Sequence, residues 1–125
     1  MEIQGRVVVV TGGANGIGRA MCHKFAQEGA RGVVVADLDK EGAQRVAKEI
    51  NGFPITTNAA KEADVKLLVE ATTNQFGHID VLCSNAGIGV AGGPEAPDKD
   101  WQRSWEVNVM AHVYTARAVL PQMLD

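Results

Sequence analysis

The residues best suited to chemistry stand where apolar runs end. Val7-Val8-Val9-Val10 leads directly into Thr11-Gly12-Gly13-Ala14-Asn15-Gly16-Ile17-Gly18. Gly12, Gly16 and Gly18 carry no Cβ, so the chain can turn sharply there and lie close against a ligand. A helix beginning at that turn aims its unpaired N–H groups and the positive end of its dipole at the same point. Such an arrangement serves a phosphate diester, above all a dinucleotide pyrophosphate. No Gly-Lys-Ser/Thr follows the glycines, which disfavours a nucleoside triphosphate P-loop.

Further polar residues repeat the pattern. The run Gly32 to Ala36 ends in Asp37, and the run Ile79 to Cys83 ends in Ser84-Asn85-Ala86-Gly87. Asn108 sits in Val107-Asn108-Val109, inside a helical stretch. A carboxylate at Asp37 can accept both hydroxyls of an adenosine ribose. It would repel a 2′-phosphate by about 4 kcal/mol at about 4 Å and an effective dielectric of about 20, before solvent reduces the figure. That favours NAD over NADP, and Asp39 adds negative charge. Asp37 could also cap the helix that starts at Lys40.

In combination these residues resemble the short-chain dehydrogenases/reductases. The spacing Thr11-Gly12, three residues, then Gly16-Ile17-Gly18 is theirs, and Asn85-Ala86-Gly87 and Asn108 follow in the family's order. The resemblance extends from Gly5 to Leu124. It implies a Rossmann-type NAD(P)-binding fold and hydride transfer between a nicotinamide cofactor and a small alcohol or carbonyl substrate. It also implies where the cofactor lies. Gly12, Asn15, Gly16, Ile17 and Gly18 surround the pyrophosphate, and Asp37 and Leu38 meet the adenosine ribose. Asn58 and Ala59 lie beside the adenine, while Ala86 and Gly87 let a ribose rest on the backbone. Asn85 and Thr11 are expected to tie neighbouring strands together, although Asn85-Ala86-Gly87 could also be an ordinary strand-end turn. The family places a compensating base for NADP at the positions of Asn15 and Leu38, and neither is basic.

One segment departs from the family. Asn58-Ala59-Ala60 stands where the pattern is Asp, an aliphatic residue, then Ser or Thr. Asn58 is expected to accept from the adenine amino group through its amide oxygen. Ala60 cannot cap the next helix, at a cost of about 1 kcal/mol.

Of the family's catalytic set, the resemblance assigns only Asn108 here, whose main-chain carbonyl would belong to a proton relay. The serine and the Tyr-x-x-x-Lys motif lie beyond the segment that matches Asn108. Tyr114, the single tyrosine, is followed four positions later by Ala118 rather than lysine. The chain therefore reads as the N-terminal, cofactor-binding half of an NAD-dependent enzyme, inactive alone. The alternative is a non-catalytic short product that binds nucleotide or joins full-length subunits through its last helix.

The elements that must position these groups alternate along the chain. Strands are expected at Arg6–Thr11, Gly32–Asp37, Phe53–Thr57 and Ile79–Ser84. Helices are expected from Gly16 to Glu28, Lys40 to Ile50 and Lys61 to Phe76. Helix one shows Ile17, Ala20, Met21 and Phe25 on one face. A Gly-rich loop, Ala86 to Pro97, precedes a last helix from Asp98 or Asp100, with Trp101, Trp105, Val109, Val113, Ala116 and Leu120 along one face and Pro121 kinking or ending it. Fully apolar strands separated by helices predict an α/β, doubly wound parallel sheet. Pro54 puts strand three at an edge, giving the order 3-2-1-4. Strand four then presents an apolar edge, so the chain alone is expected to associate or to be poorly soluble.

Composition narrows the function classes. The 125 residues are 46% hydrophobic, enough for the core of one domain spanning 1–125. A net charge of −3, with the 12 basic residues dispersed, argues against a nucleic-acid or anionic-membrane surface. His23, His78 and His112 lack ligand spacing, so no metal is expected. Cys22 and Cys83 show no disulfide framework, and no signal or membrane-length apolar run is apparent, which points to the cytoplasm. The last helix is expected to pair with a second subunit.

Overall fold

A computed structural model describes residues 1–125 of the chain. Its elements run β1 (Val7–Thr11), α1 (Gly16–Gln27), β2 (Gly32–Asp37), α2 (Lys40–Ile50), β3 (Phe53–Thr56), α3 (Glu62–Phe76), β4 (Val81–Cys83), α4 (Asp98–Trp105) and α5 (Ala111–Leu124). A π-helical segment, Glu106–Met110, joins α4 to α5. The sheet order is β3-β2-β1-β4 and every pairing is parallel, as the apolar runs and Pro54 predict.

Successive strand side chains point to opposite faces, so the valine runs feed two cores. Val8, Val10, Val33 and Val35 pack with Cys22 of α1 and Ala43, Val46 and Ala47 of α2. Val9, Val34 and Ala36 pack on the other face with Leu68 and Val69 of α3 and Val119 of α5. All five residues of β1 are buried, and each such valine contributes about 1.5 kcal/mol or more.

β4 is shorter than its apolar run. The Asp80 carboxylate accepts from the Val7 N–H at 2.8 Å and Ile79 N–H donates to the Gln122 side chain at 3.1 Å, so of the backbone contacts only Asp80 N–H to the Val7 carbonyl, at 2.9 Å, precedes the ladder. The buried face of α1 holds Gly18 and Cys22, with Met21 and Phe25 packed partly against them. Ile17 and Ala20, expected on that face, are exposed. Close seating of Gly18 against the glycine turn sets the helix's rotation.

The last helix differs most from expectation. The π segment interrupts it, and its buried residues are Ala111, Thr115 and Val119. The stripe from Trp101 to Leu120 lies outside instead, with Trp101 58% and Trp105 54% exposed. Pro121 neither ends nor replaces the last turn, which runs to Leu124. Gln122 anchors that turn by accepting from Ile79 N–H and donating to Thr73 Oγ1 at 3.3 Å. No helix is long and apolar enough to cross a membrane.

Candidate functional site

The carboxyl ends of β1, β2 and β4 open onto one cleft of about 570 Å³. Thr11, Gly12, Asn15, Ile17, Gly18, Asp37, Leu38, Asn58, Ala59, Asn85, Ala86 and Gly87 all line it. Of the residues singled out from the sequence, only Gly16 and Asn108 stand outside its wall.

The turn after β1 is built from close contacts that larger residues would break. A Cβ on Gly18 would stand 1.9 Å from the Gly12 carbonyl oxygen, and one on Gly12 would stand 2.9 Å from Ala86 Cα. Gly16 opens α1 at φ +54 with nothing within 4 Å of where its Cβ would be. Asn15 precedes it in an extended conformation and makes no side-chain cap. The first-turn N–H groups of α1 therefore lack a side-chain acceptor, which is the donor set an anion needs.

Thr11 and Asn85 brace the turn against β4. The Thr11 hydroxyl accepts from Asn85 N–H at 3.0 Å and from Ala86 N–H at 3.1 Å. The Asn85 side-chain amide donates back to the Thr11 carbonyl at 3.1 Å and the Gly12 carbonyl at 3.4 Å. The strand end is thus held by crossed hydrogen bonds and is more than an ordinary turn.

Asp37 fixes the other wall. Its Oδ2 accepts from Ala14 N–H at 3.0 Å and its Oδ1 from Asp39 N–H at 2.9 Å. Each oxygen keeps further accepting capacity. The cap of α2 is Asp39, which accepts from Gly42 N–H at 3.0 Å, so Asp37 is not the capping residue. Asn58 is held in a tight turn: its amide oxygen accepts from Ala60 N–H at 3.0 Å, with a second lone pair to spare, and its own N–H donates to Asp64 at 2.9 Å. Lys61 begins α3 without a side-chain cap.

Asn108 lies at the centre of the π segment. Its amide oxygen accepts from Ile88 N–H and its amide nitrogen donates to Ile88 O, both at 2.9 Å. A Cβ on Gly87 would lie 3.2 Å from that amide oxygen. Asn108 therefore pins the loop after β4 to the last helix. Short π segments inside helices widen the turn and recur at functional sites.

Other cleft residues carry no site role in the sequence reading. Thr57, Ala60 and Ile88 flank residues already singled out, whereas Arg103, Glu106 and Val107 reach the cleft from α4 and the π segment. Their i, i+3, i+4 spacing, offset from the tryptophan stripe, is the signal that could have found them.

Away from the cleft, each histidine has a single partner. His23 pairs with Glu49 at 2.7 Å, His78 with Asp80 at 3.0 Å, and His112 with the Ser84 hydroxyl at 2.8 Å. Tyr114 is half-buried, with the Arg117 guanidinium 6.0 Å from its ring centre. Burial, with the neighbouring Cys83, pushes the Cys22 thiol up to about 12, so this cysteine is inert packing.

A profile of the family described as short chain dehydrogenase matches residues 6–125. The 1-deoxy-11-beta-hydroxypentalenate dehydrogenase of Streptomyces exfoliatus is 42% identical over 133 residues, covering 100% of this chain and 48% of that protein. The 3-oxoacyl-(acyl-carrier-protein) reductase of Thermotoga maritima is 35% identical over 130 residues, covering 99% of this chain and 52% of that one. Among solved structures, the 3-ketoacyl-(acyl-carrier-protein) reductase from Brucella melitensis, complexed with NADH, superimposes with a TM-score of 0.92 at 37% identity. That match covers 96% of this chain and 51% of the other. The chain spans about half the length of the curated relatives it matches. With a matched profile over residues 6–125, the chain belongs to the short chain dehydrogenase family.

Proposed function

We propose that this chain binds NAD and forms the cofactor-binding part of an oxidoreductase acting on a small alcohol or carbonyl compound. The observation that carries the reading is that the α1 N-terminus and Asp37 share one cleft with Asn85-Ala86-Gly87. That cleft lies between β1 and β4, where the winding of the sheet reverses and such sheets take ligands.

The residues present fit a dinucleotide. The free N–H groups of Gly16, Ile17 and Gly18 suit a pyrophosphate, and the space above Gly16 leaves room for it. Asp37 holds its carboxylate in place with backbone N–H groups and retains lone pairs for two ribose hydroxyls. The same negative charge opposes a 2′-phosphate, which makes NAD the cofactor and NADP the disfavoured one. Ala86 and Gly87 offer a flat wall held by Thr11. When bound, the nicotinamide ring supplies the hydride donor or acceptor.

Asn108 is the residue of this segment we place with the reacting groups, as a positioning member of a proton relay. Its side chain ties the loop to the helix through Ile88, and the relay role falls to its main-chain carbonyl in the π turn. Tyr114, with Ala118 four residues on, makes no Tyr-x-x-x-Lys pair, so the 125-residue segment alone is expected to bind NAD and turn nothing over. Residues 1–125 act as the N-terminal, NAD(P)-binding Rossmann half of a cytoplasmic short-chain dehydrogenase domain. A second reading, association without catalysis, is favoured by the exposed Trp101 and Trp105 on the last helix.

Calorimetric titration tests the first reading. NAD is expected to bind at least about tenfold tighter than NADP, and Asp37→Ser is expected to narrow that ratio. Equal affinities in the unaltered chain, or binding of neither, would overturn the assignment.

A further inference from the structure

We infer that Asn15 is a site of spontaneous, backbone-assisted deamidation, a modification that sets a carboxylate at the glycine turn and weakens dinucleotide binding. The chemical step stands on the geometry of the turn alone, and its consequence for binding rests on the dinucleotide reading of the cleft.

An asparagine followed by glycine can lose its side-chain nitrogen without a catalyst, which is one reason asparagine is a thermolabile residue. The glycine main-chain nitrogen attacks the asparagine Cγ, a bond forms between them, and the Cγ–Nδ2 bond breaks. Ammonia leaves carrying the proton that the glycine N–H gave up, and the product is a five-membered imide. Water then opens the ring at either carbonyl, leaving aspartate or, where the chain continues through Cγ, isoaspartate. Nothing is oxidised or reduced. The step needs a glycine N–H that is not held by an acceptor and room around its nitrogen.

The chain has two such pairs, Asn15-Gly16 and Asn51-Gly52, and both asparagines are exposed. Their surroundings differ. Asn51 closes α2 at φ 55, and Gly52 N–H donates to the Ala47 carbonyl at 2.7 Å. Attack there would break the hydrogen bond that terminates the helix. It would also be crowded, since a Cβ on Gly52 would stand 2.7 Å from the Val33 carbonyl oxygen and 3.1 Å from the Ile50 side chain. Asn15 is extended, at φ −154 and ψ 174, and its side chain makes no cap. Gly16 N–H has no acceptor in the protein, and nothing lies within 4 Å of where the Gly16 Cβ would be. The positive end of the α1 dipole also favours the negative charge that builds as this nitrogen loses its proton. A turn left open for a ligand's anion is thereby open to its own side chain.

Asn15 lines the cleft. A carboxylate at residue 15 caps the first-turn N–H groups of α1 that a pyrophosphate would use, and it repels that pyrophosphate. Isoaspartate adds a methylene to the main chain of the turn as well.

Ageing the unaltered chain in mildly alkaline buffer, followed by mass-spectrometric peptide mapping, reads both pairs in one sample. Residue 15 is expected to lose its amide at least about fivefold faster than residue 51. In calorimetric titration Asn15→Asp is expected to bind NAD about tenfold or more weakly than the fresh parent. Equal rates at the two pairs, or faster loss at residue 51, would overturn the inference and leave dinucleotide binding as it stands. Undiminished NAD affinity in Asn15→Asp would overturn it too, because the modification would then change nothing in the cleft. Fresh parent that binds no NAD would overturn the dinucleotide reading and, with it, the loss of binding inferred here.

Discussion

The Thr11 hydroxyl takes two backbone N–H groups, from Asn85 and Ala86, while the threonine itself is 2% exposed. A single oxygen therefore satisfies both donors as the chain leaves the β1–β4 ladder and turns to form the cleft wall. Valine has nearly the same shape and β-branching but no acceptor. Thr11→Val would leave both N–H groups without partners where water has poor access, at about 1–3 kcal/mol for each group lost. Urea denaturation should place the variant about 2 kcal/mol or more below the parent, with Thr11→Ser recovering most of the difference. Equal stability of valine and threonine would mean that water reaches these groups and that the hydroxyl braces nothing.

At the scale of elements, the joint between β1 and β4 depends on Asp80. Its carboxylate meets Val7 N–H at 2.8 Å, Arg6 at 3.2 Å and His78 at 3.0 Å. Burial pushes the Asp80 carboxyl up, but the Val7 N–H, the His78 ring and the Arg6 guanidinium outweigh it and hold it below the usual carboxylate range. A group lowered on folding adds stability above its unfolded value, about 3.9 for aspartate, and loses it as pH falls through the folded value. Stability should therefore decline below about pH 4, and Asp80→Asn should show a shallower decline there from a lower neutral-pH value. A pH–stability curve of unchanged slope in that variant would remove Asp80 from the acid response.

The same joint marks how far the sequence can be read. β2 and α2 run from Gly32 to Asp37 and from Lys40 to Ile50, as their patterns predict, because local periodicity and burial coincide there. β4 starts late, at Val81 rather than Ile79, because Asp80 and Gln122 take backbone donors there, and a contact from a distant helix leaves no trace in a local pattern. Most of the glycine, Asp37 and Asn85 residues were legible as one site because strand ends in a parallel sheet must converge. Arg103 and Glu106 show only their i, i+3 spacing on a face offset from the tryptophan stripe, and spacing alone does not say that this face meets the cleft.

For the whole molecule, the stripe on α4 and α5 is the largest consequence. An apolar helical face signals surface that avoids water and does not say whether the molecule's own core or another chain covers it. Here the sheet is covered by the small residues Ala111 and Thr115 with Val119, while Trp101, Trp105, Val113 and Leu120 remain outside. Tryptophan is among the residue types that dominate association energy, and both lie on this exposed stripe. The chain, 13.3 kDa as a monomer, should therefore sediment at twice that mass or more at about micromolar concentration and above. Trp101→Gln with Trp105→Gln should shift it to the monomer without changing its far-ultraviolet circular dichroism, because neither side chain enters the core. β4 provides the competing route, since its three residues are only half-buried at the open edge of the sheet. Association that survives loss of both tryptophans would place the contact at that edge, and a chain that is monomeric from the outset would show that neither surface draws a second copy.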